Sequence, residues 1–163
     1  MEFILSRKSV RHYTEEAVSM ELLVDVIKAG MSAPSGKNTK PWEFAIVTDR
    51  KILDLMAENL PYAKMLFKAS AAIVVMGDVD KSSYWYLDCS AATQNILLAI
   101  EAKGLGGVWT ATYPYEDRMK VVEEALNLPS NIKSLCVIPV GYPTGKEKVR
   151  DKFNPDQIHI NKW

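Results

Sequence analysis

Cysteine is nearly absent: 163 residues hold two, Cys89 and Cys136, at no metal or redox spacing. That usage points to a reduced, cytoplasmic protein. Histidine is as scarce, and His12 and His159 have no partners at ligand spacing, so no metal site is expected. No excess of either charge exists, with 20 basic against 20 acidic residues. A general nucleic-acid binder would carry a global basic field, which this chain lacks, although a local basic pocket remains open. No apolar run approaches the ~20 residues that span a bilayer. The first 13 residues carry no signal-peptide core and no small-residue cleavage site. Ser35 has no G-x-S-x-G elbow and no nearby histidine, so no catalytic triad is visible. Repeats and low-complexity tracts are missing. Glycine and proline are scattered, and no linker divides the chain, which reads as one domain over residues 1–163.

What is present is an ordinary globular composition, 48% hydrophobic and 25% charged. A short helix is expected over residues 2–5. Ser19 is a good N-cap for a helix carrying Leu22, Leu23, Val26 and Ile27 at helical spacing. Residues 30–41 read as a loop. Strands are expected at 43–48, 72–76, 108–113 and 135–140, and helices at 49–58, 62–68 and 115–126. Residues 84–103 form the longest helical pattern. Its broad apolar arc suits burial at a domain centre or a subunit interface. Gly104 is a natural residue just past its end. Residues 144–163 read as a polar, extended tail whose Ile158, Ile160 and Trp163 need something to pack against.

Four stretches could carry chemistry. Arg7, Ser9 and Arg11 fall on one side if their segment is extended, and arginine forks with a hydroxyl suit phosphate oxygens. A solvated basic turn is the plain alternative. Residues 33–42, Ala-Pro-Ser-Gly-Lys-Asn-Thr-Lys-Pro-Trp, form a stiff hydrogen-bonding loop or an ordinary connector. Gly104, Gly106 and Gly107 lie between a helix and a strand, the wrong order for a dinucleotide fingerprint. They serve as a helix end with close backbone packing, or as a backbone strip against a flat ligand. Lys146, Lys148, Arg150 and Lys152 alternate with acids. This is a solvated charge run, or a second cationic wall that could meet the first across one phosphate. Asp88 is placed to cap or to hydrogen-bond inside the long helix.

Taken in order, these segments resemble the nitroreductase family of flavin reductases. Residues 7–13 resemble the family's R-x-S-x-R-x-[FY] start. Ala33-Pro34-Ser35 with Asn38, Pro41 and Trp42 resembles its A-P-S-x-x-N-x-Q-P-W loop. Residues 90–99 resemble its central dimer helix, and Gly104-Leu105-Gly106 through Trp109, with residues 140–143, its later signatures. The resemblance implies an α+β, three-layer fold with a mixed, mainly antiparallel sheet flanked by helices and an extended C-terminal tail at a dimer interface. It implies bound FMN, NADH or NADPH as electron donor, and a homodimer with two shared sites and no membrane or nucleic-acid partner. By that likeness Arg7 and Ser9, with Lys8 beside them, hold the FMN phosphate, helped by Lys148 and Arg150. Arg11 faces the pyrimidine edge. Pro34, Ser35 and Asn38 approach from the partner subunit. Thr110, Ala111 and Thr112, on to Tyr113, offer backbone near N5, with one amide missing at Pro114. Lys8 replaces a frequent second Arg or His, and Lys40 replaces Gln. The pyrimidine-contacting Asn and Lys of larger members have no clear match, Lys64 being an unsupported candidate.

The implied chemistry is a ping-pong cycle, with hydride passing from NAD(P)H to the flavin and then to a nitroaromatic, quinone or similar acceptor. No side chain acts as nucleophile and no metal takes part. The alternatives are a relative with different flavin chemistry (a specialised dehydrogenase, a dehalogenase-like reductase or a flavin-destroying enzyme) and a non-catalytic FMN-binding module. A purely structural protein would leave both basic clusters solvated.

Overall fold

The computed structural model describes residues 2–163; Met1, the first residue of the expected domain, lies outside them. Chain order begins with α1 (Glu2–Ser6), α2 (Met20–Met31), β1 (Trp42–Val47) and α3 (Arg50–Asn59). It continues with β2 (Ala71–Asp78), α4 (Trp85–Ala102), β3 (Gly106–Gly107), β4 (Thr110–Ala111), α5 (Glu116–Leu126) and β5 (Ile132–Gly141).

Local chemistry accounts for the boundaries. Ser19 caps α2, its hydroxyl accepting from the Leu22 amide at 3.3 Å, and Asp49 caps α3 through the Lys51 amide at 2.7 Å. The helix α2 does not give way to a loop at Gly30. A Cβ there would lie 2.7 Å from Ile96 Cγ1, so this glycine serves a close crossing with α4 instead of a break. Gly104 ends α4 in the left-handed region, φ 71°. Asn127, at φ 52°, ends α5 two residues before Pro129. Residues 62–68 contain only the 3-10 turn Lys64–Phe67. The expected strand at 108–113 is reduced to β4, because Val108 and Trp109 fall between the pairings that β3 and β4 make with β5.

All strand pairings are antiparallel. The order is β1-β2-β5, with β3 and β4 sharing the far edge of β5. Every residue of β2 is buried. Ile73 and Val75 enter one core with Ile138 and Val140 of β5 and with α2 and α4. Val74 and Met76 enter the other with Val137 and with Leu53, Met56 and Val122 of α3 and α5. The continuous apolar run follows from having both faces covered. The result is three layers, as the resemblance implies.

Most of the apolar arc of α4 is satisfied inside the chain, with Trp85, Cys89, Ala92, Ile96, Leu97 and Ile100 buried. Its exposed large side chain is Leu87, so most of the arc is spent on the chain's own core. Burial pushes both cysteine thiols up to about 12, which keeps them protonated near neutrality. The tail from residue 148 onward is exposed throughout. Phe153, Ile158, Ile160 and Trp163 are all open to solvent, as are Phe3, Ile4 and Leu5 of α1.

Candidate cofactor site

The segment before α2 is laid against the sheet edge by a ladder of contacts. The Val10 amide donates to Gly107 O at 3.0 Å, and the Thr14 amide to Tyr142 O at 2.8 Å. The Tyr13 hydroxyl donates to Val10 O and Pro139 O at 2.7 and 3.2 Å. Two glycines make the fit. A Cβ on Gly106 would lie 2.6 Å from Val10 Cγ1, and one on Gly141 would lie 2.9 Å from the Tyr13 ring. With Val10 and Tyr13 turned inward and buried, Arg7, Ser9 and Arg11 are left to line the outer side.

There they meet the tail. A cavity of about 500 Å³ is lined by Arg7, Lys8, Ser9 and Arg11 from the first segment, and by Lys146, Glu147, Lys148, Arg150 and Lys152 from the second. Seven cations, one hydroxyl and one carboxylate therefore share one hollow. Lys8 is partly neutralised by Glu101, 3.2 Å away. Bringing so many like charges together is unfavourable in the absence of a counter-charge, and a bound dianion relieves it. The donor set fits a phosphate group.

The two walls are joined at Glu147. Its Oε1 accepts from the Arg11 and His12 amides at 2.8 and 3.1 Å and lies 2.7 Å from His12 Nδ1. Its Oε2 is buried without a partner. Burial disfavours the charged carboxylate, but the Arg11 amide and His12 ring outweigh it and hold the group below the ordinary range.

Arg11 also lines a second cavity of about 180 Å³, with Pro61, Tyr62, Val108, Trp109, Thr110, Ala111 and Arg118. Arg118 lies over the Tyr115 ring at 3.7 Å, and its buried Nε has no partner. Thr112 lines neither cavity. It is buried, with its hydroxyl accepting from Ser134. The Thr112 and Tyr113 amides both donate to Leu135 O, so neither is free for a ligand. The Thr110 hydroxyl donates to Val137 O at 2.6 Å. Lys64 is committed as well, its Nζ donating to Ala57 O and Glu58 O at the end of α3.

Pro34, Ser35 and Asn38 line neither cavity. Their loop is tied to α4 through buried Asp88, whose Oδ1 accepts from the Gly36 amide at 2.8 Å. The Lys40 amide donates to the Ser35 hydroxyl. Lys37, Asn38 and Lys40 all sit in the left-handed region, an unfavourable backbone held by these bonds. Glu147 and Arg118 joined the site without being singled out for it in the sequence. Glu147 hid among alternating charges, and Arg118 sits on an ordinary charged helix. Among the described residues no cluster of His, Cys, Asp or Glu could hold a metal, and no helix is long and apolar enough to cross a membrane.

Comparison with known proteins gives a match to the nitroreductase family model over residues 4–66 and 55–142. A protein of Archaeoglobus fulgidus, provisionally named NADH dehydrogenase/NAD(P)H nitroreductase, is 44% identical, covering 100% of this chain and 98% of its own. A Parabacteroides distasonis crystal structure with the same provisional name is 58% identical at a TM-score of 0.98, covering 99% of this chain and 97% of its own. An FMN-dependent nitroreductase from Clostridium difficile superposes at a TM-score of 0.93 with 29% identity, covering 99% of this chain and 98% of its own.

Proposed function

This chain belongs to the nitroreductase family, and from that premise we propose that it is an FMN-dependent oxidoreductase driven by NADH or NADPH. The observation that carries the reading is the large cationic cavity. It is assembled from two segments some 140 residues apart and contains one hydroxyl and one carboxylate among seven cations. Arg7, Lys8 and Ser9, with Lys148 and Arg150, would hold the FMN phosphate through charge-assisted hydrogen bonds. Bound FMN would supply two-electron chemistry, taking hydride from the nicotinamide and reducing a nitroaromatic, quinone or similar acceptor.

Arg11 lines both cavities and would stand at the pyrimidine edge of the ring. A cation there stabilises the negative charge that reduction adds to the ring, and so favours the reduced form. Val108, Trp109, Thr110 and Ala111 form the neighbouring wall. With the Thr112 and Tyr113 amides engaged in the sheet, contact with the ring would fall to residues 108–111.

Pro34, Ser35 and Asn38 would serve a second copy's site, making a homodimer with two shared sites. The exposed Phe153, Ile158, Ile160 and Trp163 of the tail support that assembly, because such side chains gain by burial against a partner.

The test is the visible spectrum of the purified protein with FMN, followed by NADH or NADPH without oxygen. Flavin bands that bleach are expected, and re-oxidation by a panel of nitroaromatics, quinones and halogenated phenols then sorts the acceptors. Flavin that binds but does not bleach with either nicotinamide would overturn the reductase reading in favour of a binding module.

A further inference from the structure

We propose that Glu147 is a positioning residue that latches the tail's cations over the phosphate cavity. The inference rests on the phosphate reading of that cavity and goes beyond it by naming what builds the second wall.

Up to Thr144 the chain is tied to the N-terminal segment by main-chain bonds, the last being the Thr144 amide to His12 O at 3.1 Å. Beyond it, among the described residues, the side chain of Glu147 provides the hydrogen bonds between the tail and the rest of the chain. Among the described residues, the other hydrogen bonds of residues 148–163 stay within the tail, such as the Phe153 amide to Asp151 and the Asp156 amide to Asn154. Yet Lys148, Arg150 and Lys152 line the cavity although their residues are exposed. Long cationic side chains on a free segment would separate, since they repel one another and lose rotamer freedom when held.

The carboxylate opposes that separation. It takes two consecutive amides, those of Arg11 and His12, and the imidazole on one oxygen, and is itself only 14% exposed. Negative charge in a phosphate site is unfavourable to the ligand. Its presence here is accounted for by geometry: one acid spent as an anchor holds several cations in place.

The experiment uses the full-length protein and three variants, Glu147→Ala, Glu147→Gln and Glu147→Asp. Two readouts are taken: tryptic cleavage within residues 146–152 of the FMN-free protein, and titration with FMN and with riboflavin, which lacks the phosphate. Glu147→Ala is expected to be cleaved faster and to lose ~10-fold or more in FMN affinity, the scale of one charge-assisted contact, with riboflavin affinity unchanged. Glu147→Gln keeps an oxygen for the two amides and is expected to stay closer to the parent in both. Glu147→Asp, one methylene short, is expected to fall nearer to Ala.

Cleavage and FMN affinity in Glu147→Ala equal to the parent's would overturn the latch. So would an equal loss of FMN and riboflavin, which marks general damage to the fold. If the parent protein binds no FMN while Glu147→Ala still frees the tail, the flavin reading fails and the latch stands.

Discussion

The two cationic walls of the cavity are built in opposite ways. The N-terminal wall is fixed before any ligand arrives. Val10 and Tyr13 are buried, their backbone is paired with Gly107 and Tyr142, and Gly106 and Gly141 leave room for them. The tail wall is a segment of exposed lysines and arginine which, among the described residues, is hydrogen-bonded to the rest of the chain through one carboxylate. The difference teaches how one site combines rigidity with access. On the proposed reading, the preorganised wall would set where the anion sits, and the exposed wall would enclose it at the cost of being ordered.

The largest expected effect removes the adjustable wall altogether. Truncation after Thr144 takes away Lys148 and Arg150 together with the exposed apolar end, and should weaken FMN by ~100-fold or more, two charge-assisted contacts together. The same variant should shift toward monomer on size exclusion with light scattering. Full FMN retention would show that the fixed wall suffices. Next comes the fixed wall: Arg7→Ala should cost ~10- to 150-fold in FMN affinity, and isothermal titration reads it directly.

Gly106→Ala strikes the fixed wall from beneath, by pushing Val10 outward. Overpacking of that kind costs about 1–3 kcal/mol of stability, visible as a lowered Tm, and should also weaken FMN. An unchanged Tm would mean that the arm gives way without strain.

The smallest effect separates the walls by pH. Glu147 is held below the ordinary carboxylate range, so its anchoring is complete above that range and is lost as pH falls through its own lowered value. Amide exchange of the FMN-free protein should show the tail released on acidification while residues 10–14 stay protected. Glu147→Gln should abolish that pH dependence.

Much of this was legible in residue order. The buried strands β2 and β5 followed from their apolar runs, and the three layers from the family resemblance. The two basic clusters were open between solvated runs and a phosphate site, and the fold brings them to one cavity. Other features depended on contacts that spacing does not encode. Gly30 looked like the start of a loop because its role, a close approach to Ile96, belongs to another helix. Asp88 looked like a residue bonded within its own helix, yet it anchors the loop at Gly36. Glu147 read as one more alternating charge. Its function depends on Arg11 and His12, 136 and 135 residues away, which no local pattern announces.

The most direct measurement of the central claim is a side-by-side titration of the flavin-free protein with FMN and riboflavin at several salt concentrations. A cationic phosphate site predicts much tighter FMN binding, with an advantage that shrinks as salt rises, because screening weakens the phosphate contacts and leaves the ring contacts in place. Equal affinities at low salt, or an FMN advantage indifferent to salt, would contradict it.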